Sequence, residues 1–156
     1  MLKYLVLLLF ASPALAGWKY ELIADPFTDK KTASATWTDG GGVAAVICEQ
    51  GQLNVLFGFG RKIGDNGQSK AMMVRFDSEE VQIKEWITND EGVFVALAGS
   101  QESVHQFIES MYWSRKLAVR IVDADGRNAT YIYPISSAPG PIENTMVACG
   151  VTPPEG

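Results

Sequence analysis

Val43-Ala44-Ala45-Val46-Ile47-Cys48-Glu49-Gln50-Gly51-Gln52-Leu53-Asn54-Val55-Leu56-Phe57-Gly58-Phe59 reads as two apolar runs joined by a short polar break. The second run alternates, with Leu53, Val55, Phe57 and Phe59 on one side and Gln52 and Asn54 on the other, the period of a half-buried strand. The first run is apolar at successive positions, as in a central strand packed from two sides. Gln50-Gly51 supplies the turn, so the stretch predicts a β-hairpin. Cys48 lies beside that turn. The only other cysteine, Cys149, is near the far end of the chain. A bond between the two would staple the C-terminus to the hairpin.

Similar patterns recur on both sides. Trp18 to Ile23 and Lys31 to Trp37 read as strands separated by Asp25-Pro26-Phe27-Thr28-Asp29, a turn whose proline ends the first of them. Gly58-Phe59-Gly60-Arg61-Lys62-Ile63-Gly64 resembles a dinucleotide fingerprint only superficially: the spacing is wrong and no amphipathic helix follows, so it is expected to be a loop. Ala71 to Asp77 alternates, Met72, Val74 and Phe76 against Arg75 and Asp77. Val81 to Thr88 places Val81, Ile83 and Ile87 on one side and Trp86 on the other. Val93 to Ala98 is a short apolar run. The period then changes: Val104, Phe107, Ile108 and Met111 form one stripe of a helix, capped by Ser103 with Gln106 or, one turn earlier, by Ser100. Leu117 to Ile121 and Asn128 to Ile135 form a second hairpin around Asp123-Ala124-Asp125-Gly126. Pro139-Gly140-Pro141 breaks the chain, and Ile142 to Ala148 forms a brief helix that delivers Cys149. Eight or nine short strands with frequent turns predict a mainly β fold, an antiparallel β-sandwich or open barrel with one short α-helix and a short C-terminal helical segment.

The N-terminus has its own logic. Met1-Leu2-Lys3, the apolar run Tyr4 to Ala11 and Ala14-Leu15-Ala16 have the order of a secretory signal peptide cut before Gly17. The expected organisation is a leader over residues 1–16, one β-rich domain over 17–151 and a disordered tail over 152–156. No later run is long and apolar enough for a membrane span. Export implies a periplasmic or extracellular protein in an oxidising compartment, where two cysteines favour one disulfide, Cys48–Cys149. Closing a loop of roughly 100 residues stabilises a fold by about 4–5 kcal/mol in the chain-entropy account.

The formal charge is −5, from 13 Lys and Arg against 18 Asp and Glu. Removing the leader takes away Lys3 and no acid, so the mature chain is more acidic still. Such a chain with no basic run is not expected to bind nucleic acid. Catalytic sets are missing. His105 is the single histidine, on the polar side of the predicted helix, and no serine stands in a nucleophile elbow. Two cysteines and one histidine far apart make no zinc set. Asp123 and Asp125 lie in too short a loop for an EF-hand. The carboxylate pairs Asp25 and Asp29, and Glu79 and Glu80, read as solvated turns. No enzyme activity, metal or cofactor is expected. Asn128-Ala129-Thr130 matches a glycosylation acceptor within a predicted strand.

Four tryptophans, Trp18, Trp37, Trp86 and Trp113, remain. Two or three are expected in the core. Trp86 opposes the aliphatic side of its own strand and is the candidate for a contact surface. If its strand neighbours that of Arg75, the two side chains would share one exposed face, a hot-spot pairing. The competing expectation is that a covering layer makes Trp86 structural.

The order of Trp18, Asp25-Pro26-Phe27-Thr28-Asp29-Lys30-Lys31-Thr32, Val46-Ile47-Cys48, Leu53-Asn54-Val55, Val74-Arg75-Phe76-Asp77, Trp86, Leu117-Ala118-Val119-Arg120, Thr130-Tyr131-Ile132-Tyr133 and Cys149-Gly150 resembles the periplasmic accessory proteins of bacterial type VI secretion. It departs from that pattern where Asp-Pro-Phe replaces Ser-Pro-Met and where Ser136 to Glu143 is proline-rich. The resemblance implies an exported, non-enzymatic β-rich module that helps assemble or regulate an envelope machine through a protein partner. The rival expectations are an envelope-glycan binder using an exposed tryptophan, and a prophage-encoded exclusion protein or hydrolase inhibitor.

Overall fold

A computed structural model describes residues 17–155. The expected leader, residues 1–16, lies outside the described residues. Among the described residues nine strands form one antiparallel sheet: β1 (Lys19–Ala24), β2 (Lys31–Asp39), β3 (Gly42–Glu49), β4 (Gln52–Gly58), β5 (Ser69–Phe76), β6 (Gln82–Thr88), β7 (Phe94–Leu97), β8 (Lys116–Val122) and β9 (Asn128–Pro134). Their order across the sheet is β1-β2-β3-β4-β7-β6-β5-β8-β9. Helix α1 (Gln101–Trp113) follows β7, and α2 (Pro139–Ala148) follows β9. The hairpin over Val43–Phe59 is β3–β4, with Val46 opposite Val55 and Cys48 opposite Leu53.

The register builds one continuous apolar face. Trp37 pairs with Ala44, Ala44 with Phe57, and Phe57 with Val95. On the other half Met72 pairs with Ile121, Val74 with Val119, Phe76 with Leu117, and Leu117 with Tyr133. Side chains alternate across a strand, so this face continues from strand to strand while the opposite face turns to solvent. The sheet curls until its two halves meet. Tyr133 of β9 packs its ring 5.3 Å from Trp37 of β2 and 5.2 Å from Phe57 of β4, and its hydroxyl donates to Gly58 O. Burial pushes that hydroxyl above its ordinary pKa, so it stays a donor. At the rim, Tyr131 donates to Gly40 O, and a Cβ at Gly42 would overlap the Tyr131 ring. Trp18 Nε1 donates to Pro134 O at 2.9 Å, tying the chain ahead of β1 to the end of β9.

Each helix closes part of this core. Ser100 caps α1, its hydroxyl accepting from Ser103 N, the earlier of the two expected caps. Val104, Phe107, Ile108 and Met111 are its buried stripe. Gln101 lies against β4, where Oε1 accepts from Leu53 N and Nε2 donates to Leu53 O, both at 3.0 Å. Its amide thereby stands in for a neighbouring strand at a position β7 is too short to pair. Helix α2 begins earlier than expected, because Pro139 and Pro141 sit in its first turn, where backbone N–H groups have no intrahelical partner to lose. It ends in a Schellman motif: Gly150, at positive φ, donates to Val147 O, and Val151 donates to Met146 O. That turn holds Cys149 against Cys48, with Cα atoms 5.5 Å apart in the disulfide. Beyond it, Pro153 and Pro154 are half-buried irregular chain.

Strand β6 corrects the expected facing. Trp86 is 0% exposed, whereas Ile83 is 70% exposed and Ile87 lies on the same outer side. Three aliphatic residues are outweighed by one indole, because Trp86 meets Phe57 at 5.1 Å and Phe107 at 5.5 Å in the middle of the core. Trp86 therefore belongs to the core and not to a contact surface with Arg75. Trp18 and Trp37 are also buried, and Trp113 is the exposed tryptophan.

Two outcomes follow from this packing. Unreduced protein should show one internal bridge by mass spectrometry and no free thiol, and Cys149→Ser should cost about 2–5 kcal/mol by denaturant unfolding. Trp86→Ala should cost about 3–5 kcal/mol by the same measurement. Trp86→Phe should cost less, since it keeps a ring and the buried indole N–H has no hydrogen-bond partner to lose.

Candidate functional site

The outer face of β6-β5-β8-β9 carries the expected Arg75 without Trp86. Its register is a grid. One row across the strands is Ile83, Met73, Arg120 and Thr130; the next is Arg75, Ala118 and Ile132. Val81 borders the grid at the β5–β6 turn. Ile83 is 70% and Ile132 59% exposed, with Met73, Val81 and Val122 also open to solvent. Helices α1 and α2 put their buried residues into the core on the inner side, Phe107 of α1 meeting Phe76 of β5 and Trp86 of β6, and the outer side chains stay open to solvent. A groove of about 280 Å³ opens where Ala118 provides a low floor between Arg75, Arg120, Met73, Val81 and Thr130.

The two guanidinium groups are held by local contacts. Arg75 donates from Nε to Glu79 O at 2.9 Å and from Nη2 to Ser78 O at 3.2 Å, so it braces the β5–β6 turn. Arg120 donates from Nε to Thr130 Oγ1 at 2.9 Å. Among the described residues the ion pairs are Arg61–Asp123 and Lys62–Asp65, and neither Arg75 nor Arg120 belongs to one. The groove thus presents two cations, uncompensated by a bound carboxylate, on an acidic chain. Such a surface suits an anionic group carried by an apolar ligand, since guanidinium pairs with carboxylates and also stacks on rings.

The same turn joins this face to α1. Asp77, at φ 46°, accepts from Arg115 N at 3.0 Å and Lys116 N at 2.9 Å, fixing the corner between α1 and β8. Behind that corner lies a second, polar cleft lined by Glu79, Gln106, Glu109, Ser110, Trp113 and Ser114. Trp113 is 54% exposed there and meets Tyr112 edge to face at 4.9 Å. Periodicity alone singles out neither Arg120 nor Trp113 as a contact residue. Arg120 alternates with core residues, which identifies an outward side chain, but its proximity to Arg75 depends on β5 and β8 pairing across a long connection.

The remaining candidates separate. His105 is partly buried on α1. Asp25 accepts from Phe27 N and Thr28 N, and Asp29 closes the same turn. Glu79 lines the polar cleft. Asn128 is exposed at the start of β9. Among the described residues no group of three His, Cys, Asp or Glu could hold a metal ion, and no helix is long and apolar enough to cross a membrane.

Asp123 is a turn carboxylate only 4% exposed. Its Oδ1 accepts from Arg127 N at 2.8 Å and Asp125 N at 3.0 Å, and its Oδ2 pairs with Arg61 at 3.3 Å. The Arg127 N–H leads in holding its carboxyl below the ordinary 3.8, with Arg61 and the Asp125 N–H adding to it against the opposing effect of burial. A carboxyl with a pKa lowered by folding stabilises the fold above its unfolded value and loses that contribution as pH falls through the folded one. Asp123→Asn should therefore lower the denaturant midpoint at neutral pH and converge on the wild type in acid below 3.8. A gap that stays constant into acid would remove the ionised carboxylate from the account. No protein-family model, curated protein or solved structure matches this chain.

Proposed function

We propose that this protein is an exported, non-enzymatic binding or assembly module of the bacterial envelope, with the outer face of β6-β5-β8-β9 as its working surface. The observation that carries the reading is the uncovered apolar grid around Arg75 and Arg120, with Ile83 at 70% and Ile132 at 59% exposure. A four-strand face kept open, and studded with large aliphatic and arginine side chains, has the make-up of a protein interface. The core behind it is filled by side chains, so the domain offers a rigid platform. The leader-like N-terminus and the Cys48–Cys149 bridge support export. A role beside a secretion machine, as in the type VI accessory proteins the sequence resembles, belongs to this proposal.

A second reading rests on Trp113. An exposed indole beside Glu79, Gln106, Glu109 and Ser110 combines a stacking surface with hydroxyl-binding groups, the chemistry of glycan recognition. Trp18, Trp37 and Trp86 are buried, so a muropeptide that binds should change the fluorescence of Trp113 and lose that effect in Trp113→Ala.

Site-specific photo-crosslinking in the intact envelope tests the first reading. Probes replacing Ile83 or Ile132 should yield one discrete protein adduct, and a probe at Trp113 should not. Arg120→Ala should weaken that adduct about tenfold, the loss of one hot-spot contact. Its melting should stay within the ±0.5 kcal/mol or so usual for surface changes. Equal labelling from all three positions, or none from the grid, would rule the working surface out.

A further inference from the structure

The β1–β2 turn is the chemical counterpart of the groove. Phe27 stands at its tip, 94% exposed, and touches almost nothing in its own chain. Asp25 and Asp29 flank it, while Lys30 and Lys31 belong to the return into β2. The tip is braced: Asp25 Oδ1 accepts from Phe27 N at 2.7 Å and Thr28 N at 3.2 Å, Asp25 N donates to Lys30 O, and Asp29 N donates to Asp25 O. A turn that holds its backbone this firmly presents the ring with little ordering cost on binding. Behind it, Leu22 and Ile23 of edge strand β1 are 49% and 56% exposed, which continues the apolar contact away from the tip.

We propose that the groove around Arg75 and Arg120 takes the Phe27 tip of a second copy of this chain. The proposal rests on the outer face being the working surface and names what fills it. The groove, about 280 Å³, falls just under the roughly 300–1,000 Å³ of small-molecule sites, a size suited to one side chain. Met73, Val81 and Ala118 meet the phenyl ring, and the guanidinium groups meet its π face and the carboxylates of Asp25 and Asp29. The tip and the groove lie on different elements, so a pair of copies that buries one tip in one groove leaves a second tip and a second groove, which either close on each other as a two-fold pair or take further copies head to tail. A contact built on one knob is small, so assembly is weak, rises with concentration and falls with salt.

Sedimentation velocity of the mature, oxidised protein reads this directly. The wild type should gain mass with concentration at low salt and lose it at high salt. Phe27→Ala, which lacks the knob, and Arg120→Glu, which reverses the groove, should each stay monomeric with unchanged melting. An equimolar mixture of the two should form dimers and nothing larger, because it contains one intact knob and one intact groove per pair. A wild type that is monomeric throughout, or a mixture that stays monomeric while the wild type assembles, overturns the proposal. Loss of the envelope adduct in Arg120→Ala together with a monomeric wild type would keep the outer face as a docking surface and reject the second copy as its occupant. Assembly that needs Phe27 but ignores Arg120→Glu would reject the groove as the receiving site.

Discussion

A sheet with one apolar face must cover that face, and here nine strands do so by curling until the last packs against the second and fourth. The contact that decides this is Tyr133 between Trp37 and Phe57, three rings from strands far apart in the sheet order. Everything else adjusts to it. Gly42 gives up a side chain so that Tyr131 can lie on the β2–β3 turn, and Trp18 reaches the end of β9. Because the edges approach through side chains and not through a backbone ladder, the result is nearer to a sandwich folded from one sheet than to a closed barrel.

The helices and the disulfide finish what the curl leaves open. Helix α1 puts Phe107 among Phe57, Phe76 and Trp86, so its stripe is part of the central aromatic cluster. Helix α2 covers β2 and β3, where the inner positions are the small Ala33, Ala35 and Ala44 and leave room for it. The Cys48–Cys149 bond then joins the end of that helix to the central hairpin across 101 residues. In the unfolded chain the same link removes a long loop's worth of conformations.

With both helices packed on the inner face, the outer surface of the sheet and the turns are left to solvent. The polar groups that are buried, such as Thr88 and Asp123, hold loops: Thr88 accepts from Gln68 N at 2.9 Å and Asp123 organises the β8–β9 turn. The surface carries an open grid of apolar and arginine side chains, an exposed indole in a polar cleft, and an aromatic tip on the first hairpin.

By itself, the sequence determined the local structure: the alternation in β4, β5 and β8, the helical stripe of α1, the turns, and the pairing of two lone cysteines. Those follow from short-range periodicity and from a count of partners, which one chain displays completely. It did not determine which side of β6 is inside. Val81, Ile83 and Ile87 outnumber Trp86, yet the inner side is chosen by what stands across the core, and Phe57 and Phe107 come from distant segments. Nor did it place Arg120 beside Arg75, since that proximity comes from β5 pairing with β8 across two strands and a helix. The alternation of a strand says that its two faces differ; only its neighbours in space decide which face meets the core and which side chains share the surface.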